Sequence, residues 1–246
     1  NFAMNYIQRR YDEHSRSLYD ETFDKAKAAE IDYEEIVRLC CIVKPLVTWH
    51  SENTATVCRE RCGGQGFLAA NRFGEAIIGA HAGITAEGDN RVIQQKVSKE
   101  LLSELAKDKS KAKQAVAKHM AIEKGVPKSL RGFVRGVSGD VSSKEWQLGV
   151  FRAREEFCLH DLAMRLNDHK SGGKDIFESW MLNESDAVQA LATAYGERIV
   201  LEQFYEQVEN NGGSVDAATK QRLGKLCSLY AMDRIAADGN FLQEHG

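Results

Sequence analysis

Apolar residues that recur every three or four positions along uninterrupted stretches are the feature that most restricts the fold of this chain. One such stretch covers residues 2–30 and contains neither glycine nor proline, and a second covers residues 32–62. This spacing places the apolar side chains on one face of an α-helix. No stretch of strand length alternates apolar and polar residues between turn signals. The sequence therefore predicts an all-α fold.

The same periodicity predicts four further helices. They cover residues from 90 onward, 143–169, 174–209 and 216–238. Asp32 with Glu35 three residues later is typical of a capped helix start, and Gly63 is expected to end the second helix. Pro45 lies inside that helix and is expected to kink it.

A basic segment separates two helical regions. Residues 96–135 contain eleven Lys or Arg and four Asp or Glu, which gives a local net charge of +7. We interpret this run as a solvated helix face and a linker rather than as a nucleic-acid or phosphate site. The expected organisation is a helical domain over residues 1–106, a basic linker over 107–140 and a second helical domain over 141–246.

The overall charge and the cysteines exclude several classes of protein. A net charge of −3 gives no general attraction to nucleic acid, and no run approaches the roughly 18 apolar residues of a membrane-spanning helix. Six cysteines without a secretory leader predict buried free thiols in a reducing compartment. Cys58 and Cys62 are one helical turn apart, but no second Cys or His pair accompanies them, so we predict no metal site.

Seven of the twenty glycines lie within residues 63–88, so the chemistry of the chain is expected there. A helix that ends in Gly63-Gly64-Gln65-Gly66 leaves a main chain that another backbone or a phosphate group can approach closely. The pattern differs from the G-x-G-x-x-G of dinucleotide-binding folds, and no strand precedes it. Helix capping and tight packing are the alternative explanation of these glycines.

Glu87 is the candidate base in this stretch. It lies between Ala86 and Gly88 and directly before Asp89 and Asn90, which are residues that can cap the third helix. A carboxylate in a turn beside a helix start can point into a cleft and act there as a general base. The alternative is an ordinary glutamate in a surface turn.

Three separated blocks of the chain carry a family resemblance, together with a lead-in segment, KPLVTWH, at residues 44–50. The blocks are Cys62-Gly63-Gly64-Gln65-Gly66-Phe67 with Asn71-Arg72; Glu87-Gly88-Asp89-Asn90 with Gln94-Gln95; and Phe151-Arg152 with Leu162-Ala163, Leu226-Cys227 and Tyr230-Ala231. In this order they resemble the acyl-CoA oxidases, the oxygen-using branch of the acyl-CoA dehydrogenase superfamily.

The resemblance implies a particular helical architecture. Residues 1–106 would be the second half of an FAD-contacting helical domain that carries the loop of the catalytic glutamate. Residues 141–246 would form an incomplete C-terminal helical domain. The family's N-terminal helical domain would lie outside this chain, and so would its β-domain, which holds the flavin ring and much of the CoA. The chain also begins without Met, so a fragment, a processed product and part of a longer polypeptide are all open interpretations.

The resemblance also implies a reaction, the first step of fatty acid β-oxidation. Glu87 would remove the α-proton of a fatty acyl-CoA while the β-hydrogen leaves as hydride to FAD, which gives a trans-2-enoyl-CoA. Oxygen would then reoxidise the flavin and yield hydrogen peroxide. The main-chain N–H of Glu87 and a flavin hydroxyl would bind the thioester oxygen, and Ala86 and Gly88 would line the substrate.

The same resemblance implies cofactor contacts and partners. The glycine turn would meet the FAD of a partner subunit, so the expected unit is a homodimer, or this chain joined to one that supplies the flavin domain. No nucleic acid and no transmembrane segment are expected, and the implied location is the peroxisome. The residues implied to contact FAD are Glu60, Gly63, Gly64, Gln65, Asp89, Arg91 and Arg10.

Two departures from the family pattern motivate a second interpretation. Ala86 stands where the family usually has an aromatic residue, and Tyr11-Asp12-Glu13 stands where Gln-Phe-Gly usually follows the arginine-bearing helix. The alternative is a non-catalytic, oxidase-derived structural or docking subunit of a larger complex, in mitochondria or another organelle.

Overall fold

The computed structural model describes residues 2–20, 22–24, 32–107, 140–210 and 216–239. In these residues all regular secondary structure is helical, which confirms the predicted all-α fold. The chain divides into two compact units, residues 10–97, and residues 1–9 together with 98–246. Residues 108–139 of the expected basic linker lie outside the described residues, and the predicted domain bounds remain a prediction.

The helices are connected by short turns where the chain is described. A 3₁₀ turn at Ala69–Asn71 joins the helix Gly63–Phe67 to the helix Phe73–Thr85, and a π-helical turn at Ser179–Asn183 follows the short helix Ile176–Glu178. The helices are α1 (Phe2–Tyr19), α2 (Tyr33–Arg61), α3 (Gly63–Phe67), α4 (Phe73–Thr85), α5 (Asn90–Lys107), α6 (Lys144–Ser171), α7 (Ile176–Glu178), α8 (Ser185–Glu209) and α9 (Ala217–Ala237).

Three helix starts follow from capping side chains. Asp32 accepts a hydrogen bond from the main-chain N–H of Glu34, and Ser143 and Asp216 cap α6 and α9 in the same way. Each cap satisfies an N–H group that has no partner within the first helical turn. The predicted second, fourth and last helices are therefore confirmed to within two residues at each end, and Gly63, with a φ of +57°, follows the end of α2.

Two predicted helices were wrong in extent. The first ends at Tyr19 because the Asp20 carboxylate accepts hydrogen bonds from the N–H and hydroxyl of Thr22 and forms a turn. The single helix predicted over residues 174–209 is interrupted by the π-helical turn. There the Glu184 N–H donates to the carbonyl of Ser179, five residues back, before α8 begins.

The glycine-rich stretch is more helical than expected. Its second half forms α4, a helix of 13 residues in which no residue is buried. α4 packs antiparallel to α2, since Lys44 contacts Ile84 and Thr48 lies against Gly83. A Cβ atom at Gly83 would lie 3.1 Å from Cγ2 of Thr48. The glycine therefore allows the two helices to approach closely.

Each unit has its own core. In the first unit the buried face of α2 includes Ile36, Leu39, Ile42 and Val43. In the second unit α6, α8 and α9 meet around a buried cluster. The cluster consists of Leu148, Phe151, Leu201, Tyr205, Val208, Cys227 and Ala231.

The six cysteines are free thiols, as predicted, but their burial differs from the prediction. Cys227 is buried and Cys41 and Cys158 are partly buried, whereas Cys40, Cys58 and Cys62 are exposed. No helix in the described part of the chain is long and apolar enough to cross a membrane. Among the same residues, no three His, Cys, Asp or Glu side chains converge as metal ligands.

Candidate active site

Glu87 lies in the turn between α4 and α5, and its main chain is in the left-handed region with a φ of +59°. Few residues other than glycine adopt this conformation, because the Cβ atom crowds the main chain. The next residue, Gly88, also has a positive φ, +107°. Ala86, Glu87, Gly88 and Asp89 are all exposed. The turn thus holds a carboxylate at an accessible helix junction in a strained conformation.

Asp89 and Asn90, the two predicted caps, have different roles. Asp89 Oδ1 accepts a hydrogen bond from the N–H of Arg91 at 2.9 Å and so caps α5, as predicted. Asn90 is fully buried, and its amide bridges two residues of α2. Its Nδ2 donates to Oγ1 of Thr48 at 2.9 Å, and its Oδ1 accepts from Lys44 at 2.8 Å.

Lys44 reaches across from α2 to the Glu87 turn. Besides Asn90, its ammonium group donates to the carbonyl oxygens of Ile84 at 3.0 Å and of Gly88 at 2.6 Å. These acceptors lie before and after Glu87 in the chain. One cation therefore connects the end of α4, the turn and the start of α5.

The glycine turn is a second exposed site in the same unit. Glu60, Gly63, Gly64 and Gln65 are all exposed, and no atom outside the immediate chain lies within 4 Å of the position of a Cβ at Gly64. Gly66 is different, because a Cβ atom there would lie 2.1 Å from a main-chain oxygen. A ligand can therefore approach the main chain at Gly64, whereas Gly66 is required for packing.

Two polar contacts shape the chain around this turn. The side-chain amide of Asn71 donates to the carbonyl of Gln65 at 2.6 Å and joins the 3₁₀ turn to α3. Arg72 has a φ of +60° and pairs with Glu75 at 2.8 Å at the start of α4. Asn71 of the motif therefore connects the 3₁₀ turn to the glycine turn, whereas Arg72 pairs within the start of α4.

The structure separates the candidate residues into two groups. Ala86, Glu87, Gly88, Asp89 and Arg91 lie together beside Lys44, near the middle of α2, since they form one turn and the start of α5. The glycine turn follows the C-terminal end of α2, and Gly63 is 19 residues after Lys44, which is about 28 Å at 1.5 Å per residue. The two groups therefore cannot contact the same reacting atoms.

Arg10, the remaining candidate, is held by carboxylates. Its guanidinium group pairs with Glu13 at 3.4 Å and with Glu35, in the first turn of α2, at 3.2 Å. Its side chain is 23 % exposed. In this arrangement the charge of Arg10 is already neutralised by this chain.

Sequence reasoning assigned no role to Lys44, Thr48 or Asn71. One sequence pattern could have indicated a role for Lys44. It is a cation between two apolar residues, Val43 and Pro45, which are both buried in the structure. A lysine in such a place must direct its ammonium group toward acceptors or solvent. Which acceptors it meets depends on the packing of α4 and α5 against α2.

The helical fold places this chain in a known structural class. Acyl-CoA oxidase 3 from Yarrowia lipolytica superposes with a TM-score of 0.73 at 22% identity, over 99% of this chain and 34% of that one. Acyl-CoA oxidase-1 from Caenorhabditis elegans, solved with FAD and ATP, gives a TM-score of 0.71 at 16% identity, over 99% and 35%. The fold is thus that of the helical C-terminal region of acyl-CoA oxidases.

The sequence comparisons agree with the fold. The acyl-CoA oxidase C-alpha1 domain model matches residues 1–102, and the acyl-CoA oxidase model matches residues 144–246. The chain belongs to the acyl-CoA oxidase family. It is 30% identical to the peroxisomal acyl-coenzyme A oxidase 2 of Arabidopsis thaliana over 251 residues, which cover 96% of this chain and 33% of the relative. The chain therefore spans about a third of the length of such relatives.

Proposed function

We propose that this chain is the helical C-terminal part of an FAD-dependent acyl-CoA oxidase, with Glu87 as the base. The reaction converts a fatty acyl-CoA and O2 into a trans-2-enoyl-CoA and hydrogen peroxide. The observation that carries the proposal is the exposed Glu87, held in the left-handed region between α4 and α5, within the residues matched by the C-alpha1 model. Strained non-glycine residues cluster at functional sites.

Glu87 supplies two groups to the proposed reaction. Its carboxylate removes the α-proton of the thioester, which is only weakly acidic until charge on the thioester oxygen is stabilised. The main-chain N–H of Glu87 donates to that oxygen. In support, this N–H makes no main-chain hydrogen bond to another residue in the described ranges, so it is available to a ligand. Ala86 and Gly88 line the substrate on either side.

We propose the glycine turn as the flavin-nucleotide contact of this unit in preference to Arg10. When bound, FAD supplies the hydride acceptor and passes the electrons to oxygen. Exposed main chain at Gly63 and Gly64, with Glu60 and Gln65 beside it, offers close approach and hydrogen-bonding groups to the nucleotide. The guanidinium group of Arg10 is already paired with two carboxylates. We therefore retain Asp89 and Arg91 as proposed flavin-side contacts and assign none to Arg10.

The separation of the two sites supports a homodimer. Because the glycine turn lies about 28 Å along α2 from Lys44 and the Glu87 turn, we propose that it contacts the FAD of a partner subunit. Exposed apolar side chains in the turn and along α4, Phe67 at 82% and Ile78 at 74%, are consistent with a covered surface in the assembly. The flavin-binding domains are supplied by the remaining two thirds of such an oxidase, in this polypeptide or another.

We also propose a peroxisomal location. The Arabidopsis relative is named a peroxisomal enzyme, and hydrogen peroxide is the expected product. Fluorescent tagging of the full-length protein with a peroxisomal marker tests this proposal, and a purely mitochondrial signal contradicts it.

The test of function uses the complete assembly purified from its native source or by co-expression. We expect flavin absorbance that bleaches when a fatty acyl-CoA is added without oxygen. Replacing Glu87 by Gln keeps the shape of the side chain and removes the base, so bleaching should slow by at least about 100-fold. Glu34→Gln, at an exposed position in the first turn of α2, is the matched control and should bleach at the wild-type rate.

Two results decide against the proposal. Wild-type bleaching in the Glu87→Gln variant would show that another group is the base. A wild-type assembly without bound flavin would favour the structural or docking subunit instead of the enzyme.

A further inference from the structure

We propose that Lys44 is a positioning residue that holds the Glu87 turn in its reactive conformation. This inference rests on the proposed role of Glu87 as the base. Its basis is that the three hydrogen bonds of one ammonium group enclose Glu87 in the chain: Ile84 lies before it, and Gly88 and Asn90 lie after it.

The three acceptors use the full donor capacity of the lysine. An ammonium group has three N–H donors, and each has an acceptor between 2.6 and 3.0 Å. Hydrogen bonds from a charged donor are roughly twice as strong as neutral ones. The carbonyl of Ile84 also lies in the last turn of α4, where the helix dipole favours a cation. A neutral side chain of equal length cannot replace these interactions.

Lys44 is itself held in place from both sides. The hydroxyl of Thr48, one turn later in α2, donates to the carbonyl of Lys44 at 2.9 Å and accepts from the amide of Asn90. Asn90 is fully buried, so its Oδ1 needs the donor that Lys44 provides. These contacts form a closed network of α2, the turn and α5 around one cation.

The network explains how Glu87 stays in the left-handed region. A main-chain conformation that is unfavourable for a residue with a Cβ atom persists only where surrounding contacts hold it. Gly88 is fixed through its carbonyl, and a Cβ atom there would lie 3.2 Å from Cδ1 of Ile93, so the turn has little room to rearrange. Loss of the Lys44 ammonium group should release the turn without unfolding the helices on either side.

The test compares Lys44→Met with Lys99→Met in the complete assembly. Met keeps the length and most of the volume of lysine but has no donor, and Lys99 is an exposed lysine on α5. We expect hydrogen–deuterium exchange of peptides covering residues 85–92 to be about tenfold faster or more in Lys44→Met only. Bleaching rate per bound flavin should fall by about 10-fold to 100-fold, with KM within about threefold and flavin content unchanged.

Three outcomes would contradict the proposed role of Lys44. Unchanged exchange in Lys44→Met overturns the proposal, whatever the activity. Faster exchange with a wild-type bleaching rate overturns the link between the held turn and catalysis. Lys44→Met has a purely structural effect if it lowers flavin content or the yield of folded protein but bleaches at the wild-type rate per bound flavin. That result also overturns the proposal.

The proposed function is tested separately, with the wild-type assembly and the Glu87→Gln variant. It fails if the wild-type assembly does not react with acyl-CoA, or if Glu87→Gln reacts normally. The exchange measurement still decides in that case whether Lys44 holds the turn. Arginine at position 44 offers a further check, because its planar donors do not match three acceptors around an ammonium group. Lys44→Arg should therefore restore only part of the bleaching rate.

Discussion

Gly66 lies directly against the main chain of Arg59. A Cβ atom on residue 66 would lie 2.1 Å from the carbonyl oxygen of Arg59. No small movement of a side chain relieves such a contact, because the oxygen belongs to the main chain of α2. Gly64, two residues earlier, has no such neighbour. The two glycines of the motif therefore serve different purposes.

Gly66→Ala should destabilise the unit by about 2 kcal/mol or more, since the added methyl group overlaps the Arg59 carbonyl. Thermal denaturation of the assembly measures this change. Gly79→Ala, in α4, is the matched control and should not lower the melting temperature, because its position is open and outside the proposed cofactor contact. Equal melting temperatures for Gly66→Ala and Gly79→Ala would contradict the packing role of Gly66. Flavin content separately reports on Gly64, where the proposed cofactor contact predicts a decrease.

The left-handed conformation of Glu87 predicts a stability difference between two inactive variants. Glu87→Gly and Glu87→Ala both remove the carboxylate, but only glycine adopts a φ of +59° without strain. Glu87→Gly should be more stable than Glu87→Ala by about 1 kcal/mol. Differential scanning calorimetry of the two variants measures the difference. A less stable Glu87→Gly would show that the turn is not strained.

The ion pair between Arg154 and Glu197 should contribute to the stability of the second unit. Their side chains are 14% and 9% exposed, and the shortest contact is 2.5 Å. Arg154→Met leaves Glu197 with a longer contact to Arg234, at 3.7 Å, and also removes the pair of Arg154 with Asp238, at 2.6 Å. We expect the free energy of unfolding to fall by about 2 kcal/mol. This is less than for a buried carboxylate left with no partner, because Arg234 remains near Glu197. Chemical denaturation followed by far-UV circular dichroism measures it.

A surface ion pair in the same helix provides the control for Arg154. Arg152 pairs with Glu202 at 2.8 Å, but its side chain is 62% exposed. Arg152→Met should therefore change the free energy of unfolding by less than about 1 kcal/mol. Equal destabilisation by Arg152→Met and Arg154→Met would contradict the larger contribution of the buried arginine.

Burial predicts the pH dependence of alkylation at Cys158. Desolvation raises the pKa of this thiol to about 11, so the thiolate is scarce at pH 8. Because the folded-state pKa is raised, reactivity should increase about tenfold for each pH unit between 8 and 10. At pH 8, alkylation of Cys158 should be far slower than in the urea-unfolded chain. Peptide mass spectrometry measures both rates, and similar rates at pH 8 would contradict the burial.

Helical periodicity and capping side chains were sufficient to predict most of the fold. Asp32, Ser143 and Asp216 act within one turn of the chain, so the helix starts that they cap can be read from neighbouring residues. The early end of α1 at Tyr19 and the π-helical turn before α8 were missed. In both places, local hydrogen bonds compete with a pattern that favours a continuous helix.

The sequence alone predicted that this chain is helical, with Glu87 as the candidate base and the glycine motif as a second candidate site. Only the tertiary structure decided that the Glu87 turn lies beside the middle of α2 while the glycine turn follows its C-terminal end, and that Lys44 contacts the main chain on both sides of Glu87. The physical reason is distance along the chain. Lys44 and its acceptor Gly88 are 44 residues apart and meet only because α4 returns antiparallel along α2. No local pattern encodes such a contact.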